Sequence, residues 1–246
     1  MKRFMLTVAY DGTAYAGFQV QKNCPTIEGE LNRALSGLLR EDIRVIGASR
    51  TDAGVHALCN VAVFDSDTTI PAEKLAYALN ARLPEDIRIQ KSEETAPDFH
   101  PRHCESRKTY EYRITRGEFP IPVKRLYSCF TYHALDVDKM REAALYLIGE
   151  HDFKSFCAAA AVVESTVRTI YSVEVAEEGT DVVIRICGNG FLYNMVRIIA
   201  GTLMEVGRGR WSPEAVKEAL AACDRTKAGP TAPACGLMLV KYEWSF

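Results

Sequence analysis

The apolar positions of this chain recur with two periods, and the switches between them lay out its elements. Residues 4–10 read as a strand that ends at Asp11-Gly12-Thr13, a turn signal. Leu31, Ala34, Leu35, Leu38 and Leu39 then fall at helical spacing, which predicts a helix from about Thr26. Residues 43–47 form a short β-branched stretch and residues 58–64 a second apolar run; both read as strands. Pro71 is suited to open a helix with Ala72, Leu75, Ala76 and Leu79 on one face. It stops before Pro84, and Ile87 begins another strand. The order is β-α-β-β-α-β.

After a connector at Asp98-Phe99-His100-Pro101-Arg102, the second half repeats this pattern without repeating its residues. Residues 108–115 alternate as a strand. Asp136 is placed to cap a helix lined by Met140, Ala143, Ala144, Leu147 and Ile148. Strands follow at 169–175 and 181–187, and then a helix from about Phe191 turns Met195, Ile198, Ile199, Thr202, Leu203 and Val206 inward. Ser212-Pro213 starts a last helix, and 237–242 is the final strand. The fold class read from this is α+β: two similar α/β halves, 1–105 and 106–246, with antiparallel or mixed sheets joined side by side. Helices lie on one face, and a central cleft is the expected place for an active site.

Composition narrows the function classes. The 246 residues are 48% hydrophobic, enough for a proper core, and the net charge is -2, so a nucleic-acid site has to be a local basic surface on a neutral body. Eight scattered cysteines contain no Cys-x-x-Cys pair, which suits reduced thiols better than a disulfide framework or zinc site. The N-terminal apolar run is broken by Asp11, too early for a signal peptide or membrane span, so a soluble, cytoplasmic protein is expected. His100, His103 and Cys104 fit no standard zinc spacing, and no Walker loop, dinucleotide fingerprint or Gly-x-Ser-x-Gly elbow is present. Neither a metal nor a small-molecule cofactor is expected.

The densest chemistry is Arg50-Thr51-Asp52-Ala53-Gly54-Val55-His56-Ala57, on the connection between two strands, where a scaffold presents reactive groups. Asp52 is a candidate nucleophile or base; Arg50 can lower its pKa or bind phosphate; Gly54 permits a turn closed to other residues. The plainer reading is a polar turn in which Asp52 caps backbone amides and Arg50 is its solvated partner. Tyr110 and Tyr112 share a strand face with Lys108, so their rings either stack on a nucleobase beside cations or lie in the core. Residues 102–116 carry an excess of three positive charges, and Gly207-Arg208-Gly209-Arg210 adds a small flexible basic patch; both are possible phosphate contacts or solvated surface. Arg197 interrupts an apolar helix and either snorkels outward or reaches into the cleft to pair with an acid.

Taken together these stretches resemble the TruA-type tRNA pseudouridine synthases. Tyr10-Asp11-Gly12-Thr13 with Gly17-Phe18-Gln19 is similar to the family's opening motif, Thr26 to Leu31 to its first helix, and Arg50 to Ala57 to its catalytic loop. Asp98-Phe99-His100 with Arg102 and the Tyr110 strand match the middle. Arg168-Thr169-Ile170, Phe191 with Met195-Val196-Arg197, and Thr231-Ala232-Pro233-Ala234 with Gly236-Leu237 match the second half. Ser49 stands where the family usually has glycine, Phe18 where it has tryptophan and Met238 where it has tyrosine.

The resemblance implies isomerisation of uridine to pseudouridine at positions 38, 39 and 40 of the tRNA anticodon stem–loop, by a homodimer that binds tRNA and uses no cofactor or metal. It implies Asp52 as nucleophile, with Arg197 pushing its pKa below the ordinary value of about 3.9. Tyr110 then stacks on the uracil, alone or also carrying the C5 proton, and Arg50 fills the space left by the flipped nucleotide. Two other classes stand beside this one: a non-catalytic RNA-binding protein on the same scaffold, and a hydrolase using Asp52 with a second carboxylate that no motif places.

Overall fold

The computed structural model describes residues 1–158 and 164–244 and gathers them into a mixed α/β fold of two units, Met1–Ser106 with Leu239–Phe246, and Arg107–Met238. The first unit begins with β1 (Lys2–Tyr10), whose Phe4, Leu6 and Val8 are buried at 1% exposure or less. Each such side chain contributes about 1.5–3 kcal/mol. α1 (Ile27–Leu39) starts where Thr26 leaves helical geometry and its side chain accepts a hydrogen bond from Gly29 N. Then come β2 (Ile46–Gly47), β3 (His56–Ser66), α2 (Ala72–Asn80) and β4 (Ile87–Thr95). β1 lies antiparallel between β3 and β4.

The strand predicted at 43–47 shrinks to Ile46–Gly47. The reason is in α1: Asn32 Oδ1 accepts from Val45 N at 2.8 Å, and Ser36 Oγ accepts from Ile43 N at 3.0 Å. Side chains of the helix take the backbone groups that a ladder would need. Ile43 and Val45 are still buried, so their apolar character serves the core without forming a strand.

The second unit holds β5 (Ser106–Arg116), β6 (Cys129–Thr131), α3 (Val137–Leu145), β7 (Gly149–Asp152), β8 (Val167–Glu178), β9 (Asp181–Gly188), α4 (Met195–Gly207) and α5 (Ala215–Ala222). β10 (Leu237–Trp244) closes the chain, its residues from Leu239 onward belonging to the first unit and lying next to β3. β9 runs antiparallel between β5 and β8, β7 extends the sheet beyond β8, and β6 lies parallel to β5, which makes this sheet mixed. β6 and β7 are absent from the sequence reading because three or four residues leave too little alternation to detect. Asp136 caps α3 as expected, accepting from Lys139 N. The helix expected from Phe191 begins only at Met195, because Asn194 takes the left-handed conformation (φ 60°) that asparagine tolerates and a helix cannot continue through.

Asp181, at the turn from β8 to β9, ties three elements together. It is 4% exposed and accepts from Lys124 Nζ and Thr115 Oγ1, both at 2.8 Å, and from Arg113 at 3.2 Å. Burial pushes its carboxyl upward, but these three donors together outweigh burial and leave it below the usual range. A lowered native pKa means stability present above the unfolded value near 3.9 and lost as pH falls through the native one. Asp181→Asn should therefore cost about 3 kcal/mol at pH 7 in urea unfolding. The gap to wild type should narrow steadily below about pH 4.

Candidate active site

β2 and β3 are antiparallel neighbours, and the chain between them carries the reactive loop. Val55 N donates to Asp52 O at 3.2 Å, closing a turn in which Gly54 takes φ 76°, the value a type II turn puts at its third residue. The turn is bonded to the segment after β1: Phe18 N donates to Thr51 O at 3.0 Å and Gly54 N to Tyr15 O at 3.2 Å. The carbonyl of Phe18 also joins this segment to α1, since Glu28 N donates to Phe18 O at 2.8 Å. The opening motif is thus the bed on which the Asp52 loop rests. Phe18 is 1% exposed with its ring beside that of Tyr10.

Side chains alternate along the loop. Ser49 and Thr51 are buried, Arg50 is exposed and Asp52 is half-buried. Ser49 N donates to Asn60 Oδ1 and Ser49 O accepts from Asn60 Nδ2, while its Oγ has no hydrogen-bond partner among the described residues. His56, just after the turn, is 2% exposed; its Nδ1 accepts from Gly12 N at 3.2 Å and lies 3.1 Å from the Asp11 carboxylate.

In the second unit Tyr110 stands on β5 opposite Ile186 of β9, 8% exposed, with its ring edge-to-face against Phe191 at 5.1 Å. Tyr112 is fully buried, and its hydroxyl donates to Pro233 O at 2.9 Å; burial raises its phenol far above the usual range. Of the two rings on this face, Tyr112 belongs to the core. Arg197, half-buried in the first turn of α4, donates from Nε to Ala232 O and from Nη1 to Asn194 Oδ1, each at 2.8 Å. Ala232 N donates back to Arg197 O at 3.1 Å. So Thr231-Ala232-Pro233-Ala234, noticed in the sequence only as a motif, is the strip that orients this arginine.

Several basic residues read as phosphate contacts turn out to have carboxylates of their own. Arg113 bonds Glu111, Glu178 and Asp181; Arg116 bonds Glu177; Arg208 and Arg210 bond the two oxygens of Glu205, itself 7% exposed. Arg210 N and Trp211 N both donate to Glu205 O, so the patch expected to be flexible is a tied turn. Arg107 is exposed, its guanidinium 4.7 Å over the ring of Tyr171. His100 and His103 stack at 3.9 Å, and among the described residues no group of three or more His, Cys, Asp or Glu is arranged to hold a metal. No helix among the described residues is long and apolar enough to cross a membrane.

The family described as tRNA pseudouridine synthase matches residues 6–103 and 143–245. The chain belongs to it. Proteins called tRNA pseudouridine synthase A resemble this chain over nearly their whole length. That of Brevibacillus brevis is 48% identical over 239 residues, 97% of this chain and 98% of the relative. Those of a Thermoanaerobacter species and of Ruminiclostridium cellulolyticum are 46% and 48% identical, each covering 98% of this chain and 99% of the relative. As a tRNA pseudouridine synthase the chain is an isomerase acting on tRNA. Arg50, Asp52 and Arg197 lie inside the two matched stretches, and Tyr110 lies between them.

Proposed function

We propose that this chain converts uridine to pseudouridine at positions 38, 39 and 40 of the tRNA anticodon stem–loop, with Asp52 as nucleophile, acting as a cytoplasmic homodimer. The observation that carries the reading is the Asp52 turn: a half-exposed carboxylate on a backbone bonded at Thr51, Asp52 and Gly54, two residues after an exposed arginine. An acid that merely capped its own loop would not need that backbone fixed from outside. The reaction breaks the bond from ribose C1′ to N1, turns the uracil and joins C1′ to C5; C5 gives up its proton and N1 regains one. Asp52 in this reading forms the transient covalent link, to the sugar or the base. It acts as an ion, and a cation beside it favours that form.

Arg50, exposed on the loop, fills the stack when the nucleotide is flipped out, a step costing a few kcal/mol in a paired stem. Tyr110 meets the uracil with the small part of its ring left open, Phe191 steadying the ring from the side. Arg107 is the best remaining phosphate contact, and phosphate contacts position RNA without reading bases. The substrate is then chosen by the shape of the stem–loop.

Arg197 is the partner proposed to keep Asp52 ionised and in place. Its Nε and Nη1 are held at Ala232 O and Asn194 Oδ1, which fixes the plane of the guanidinium at the start of α4. Arg197→Ala should lower single-turnover rate by roughly 10²-fold or more, with tRNA affinity close to wild type. A large loss of affinity with normal single-turnover chemistry would make Arg197 a binding residue instead.

A further inference from the structure

Beneath the Asp52 loop, on the side away from solvent, runs a chain of buried polar groups to which the motifs assign no role. It starts at Asn60 of β3, which is 0% exposed. Asn60 Nδ2 donates to Ser49 O at 2.8 Å and to the Tyr10 hydroxyl at 3.1 Å. Its Oδ1 accepts from Ser49 N at 3.2 Å and from Val61 N at 3.0 Å. Both amide hydrogens and both lone pairs are used, the full capacity of the side chain. The Tyr10 hydroxyl then lies 2.8 Å from Thr51 Oγ1, and Thr51 is the residue before Asp52. Tyr10 and Thr51 are 5% and 7% exposed.

We propose that Tyr10, Asn60 and Thr51 are positioning residues that set where the Asp52 carboxylate stands. The inference rests on Asp52 being the nucleophile. Two strands supply the anchors, Tyr10 from β1 and Asn60 from β3, and the chain grips the backbone at Ser49 and the side chain at Thr51. Those two residues flank Arg50, and the second leads into Asp52. A buried network that is fully satisfied has one arrangement, because any slide leaves a polar atom unpaired where water does not reach. Burial also raises the Tyr10 phenol above its ordinary range, outweighing its bonds to Thr51 and Asn60, so the hydroxyl keeps its proton. The free Oγ of Ser49 fits the same picture: the loop is held at that residue through its backbone, which glycine would present equally well.

Thr51→Val is nearly isosteric and removes only the hydroxyl, Tyr10→Phe removes the bridge, and Thr51→Ser keeps the hydroxyl. Steady-state kinetics on an unmodified tRNA transcript, run beside Asp52→Asn and with thermal melts to count folded protein, test the proposal. Per folded molecule, Thr51→Val and Tyr10→Phe should lower kcat by about 10- to 100-fold, the scale of a misplacement near 1 Å. KM for tRNA should stay within about twofold, and Thr51→Ser should recover most of kcat. Wild-type kcat in Thr51→Val beside an inactive Asp52→Asn would overturn the positioning role and leave the nucleophile standing. An active Asp52→Asn would overturn both. Loss of kcat in Thr51→Ser equal to that in Thr51→Val would also contradict the proposal.

Discussion

Asp52→Asn is expected to fold and bind tRNA as the wild type does while turnover falls by roughly 10⁴-fold or more, the scale seen when a nucleophile is removed. The two halves of that expectation come from different facts. Asparagine has the shape of aspartate, and the turn is closed by main-chain bonds from Val55 N to Asp52 O and from Gly54 N to Tyr15 O that the substitution does not touch. Fold and RNA surface should therefore survive. The amide has no charge with which to attack carbon, so the covalent step has no substitute within the loop. Binding by filter retention and single-turnover conversion separate the two. Conversion within tenfold of wild type would remove Asp52 from the nucleophile's place.

The second large effect is at Gly12, where β1 passes into the segment beneath the loop. A Cβ added there would stand 2.0 Å from Val55 O, 2.6 Å from its carbonyl carbon and 3.0 Å from its N. These are backbone atoms of the reactive turn, with no flexible end to swing aside. Gly12→Ala must push the turn off the end of β1, and overpacking of this kind costs about 1–3 kcal/mol. It should also lower kcat per folded molecule by about 10²-fold, since the displaced part is the turn that carries Asp52. Denaturant melts give the first quantity and single-turnover rates the second. Wild-type values for both would mean that this contact neither shapes nor supports the loop.

Much of the fold was legible because its signals are local. Thr26 and Asp136 announce helix starts with their own side chains, and the strand run after Asp52 and the one through Tyr110 carry their period within a few residues. The Arg50 to Ala57 loop was legible for the same reason. What was lost depends on partners distant in sequence. Residues 43–45 look like a strand until Asn32 and Ser36 take their backbone amides. Arg113 and Arg116 count as free positive charge until β8 and β9 bring Glu177, Glu178 and Asp181 beside them. Tyr10 reads as the last residue of a strand, and only the fold shows its hydroxyl between Asn60 and Thr51. The start of α4 turned on one residue, Asn194, whose left-handed backbone is invisible to periodicity.

As a tRNA pseudouridine synthase this chain should isomerise uridine in tRNA rather than bind it idly or cleave off its base. The most direct measurement is release of tritium from tRNA carrying uridine tritiated at C5, followed by nucleoside analysis of the product and of the supernatant. Tritium release should match new pseudouridine mole for mole, with no free uracil. Bound tRNA without release would contradict it in favour of a non-catalytic RNA binder, and free uracil in the supernatant would contradict it in favour of a hydrolase.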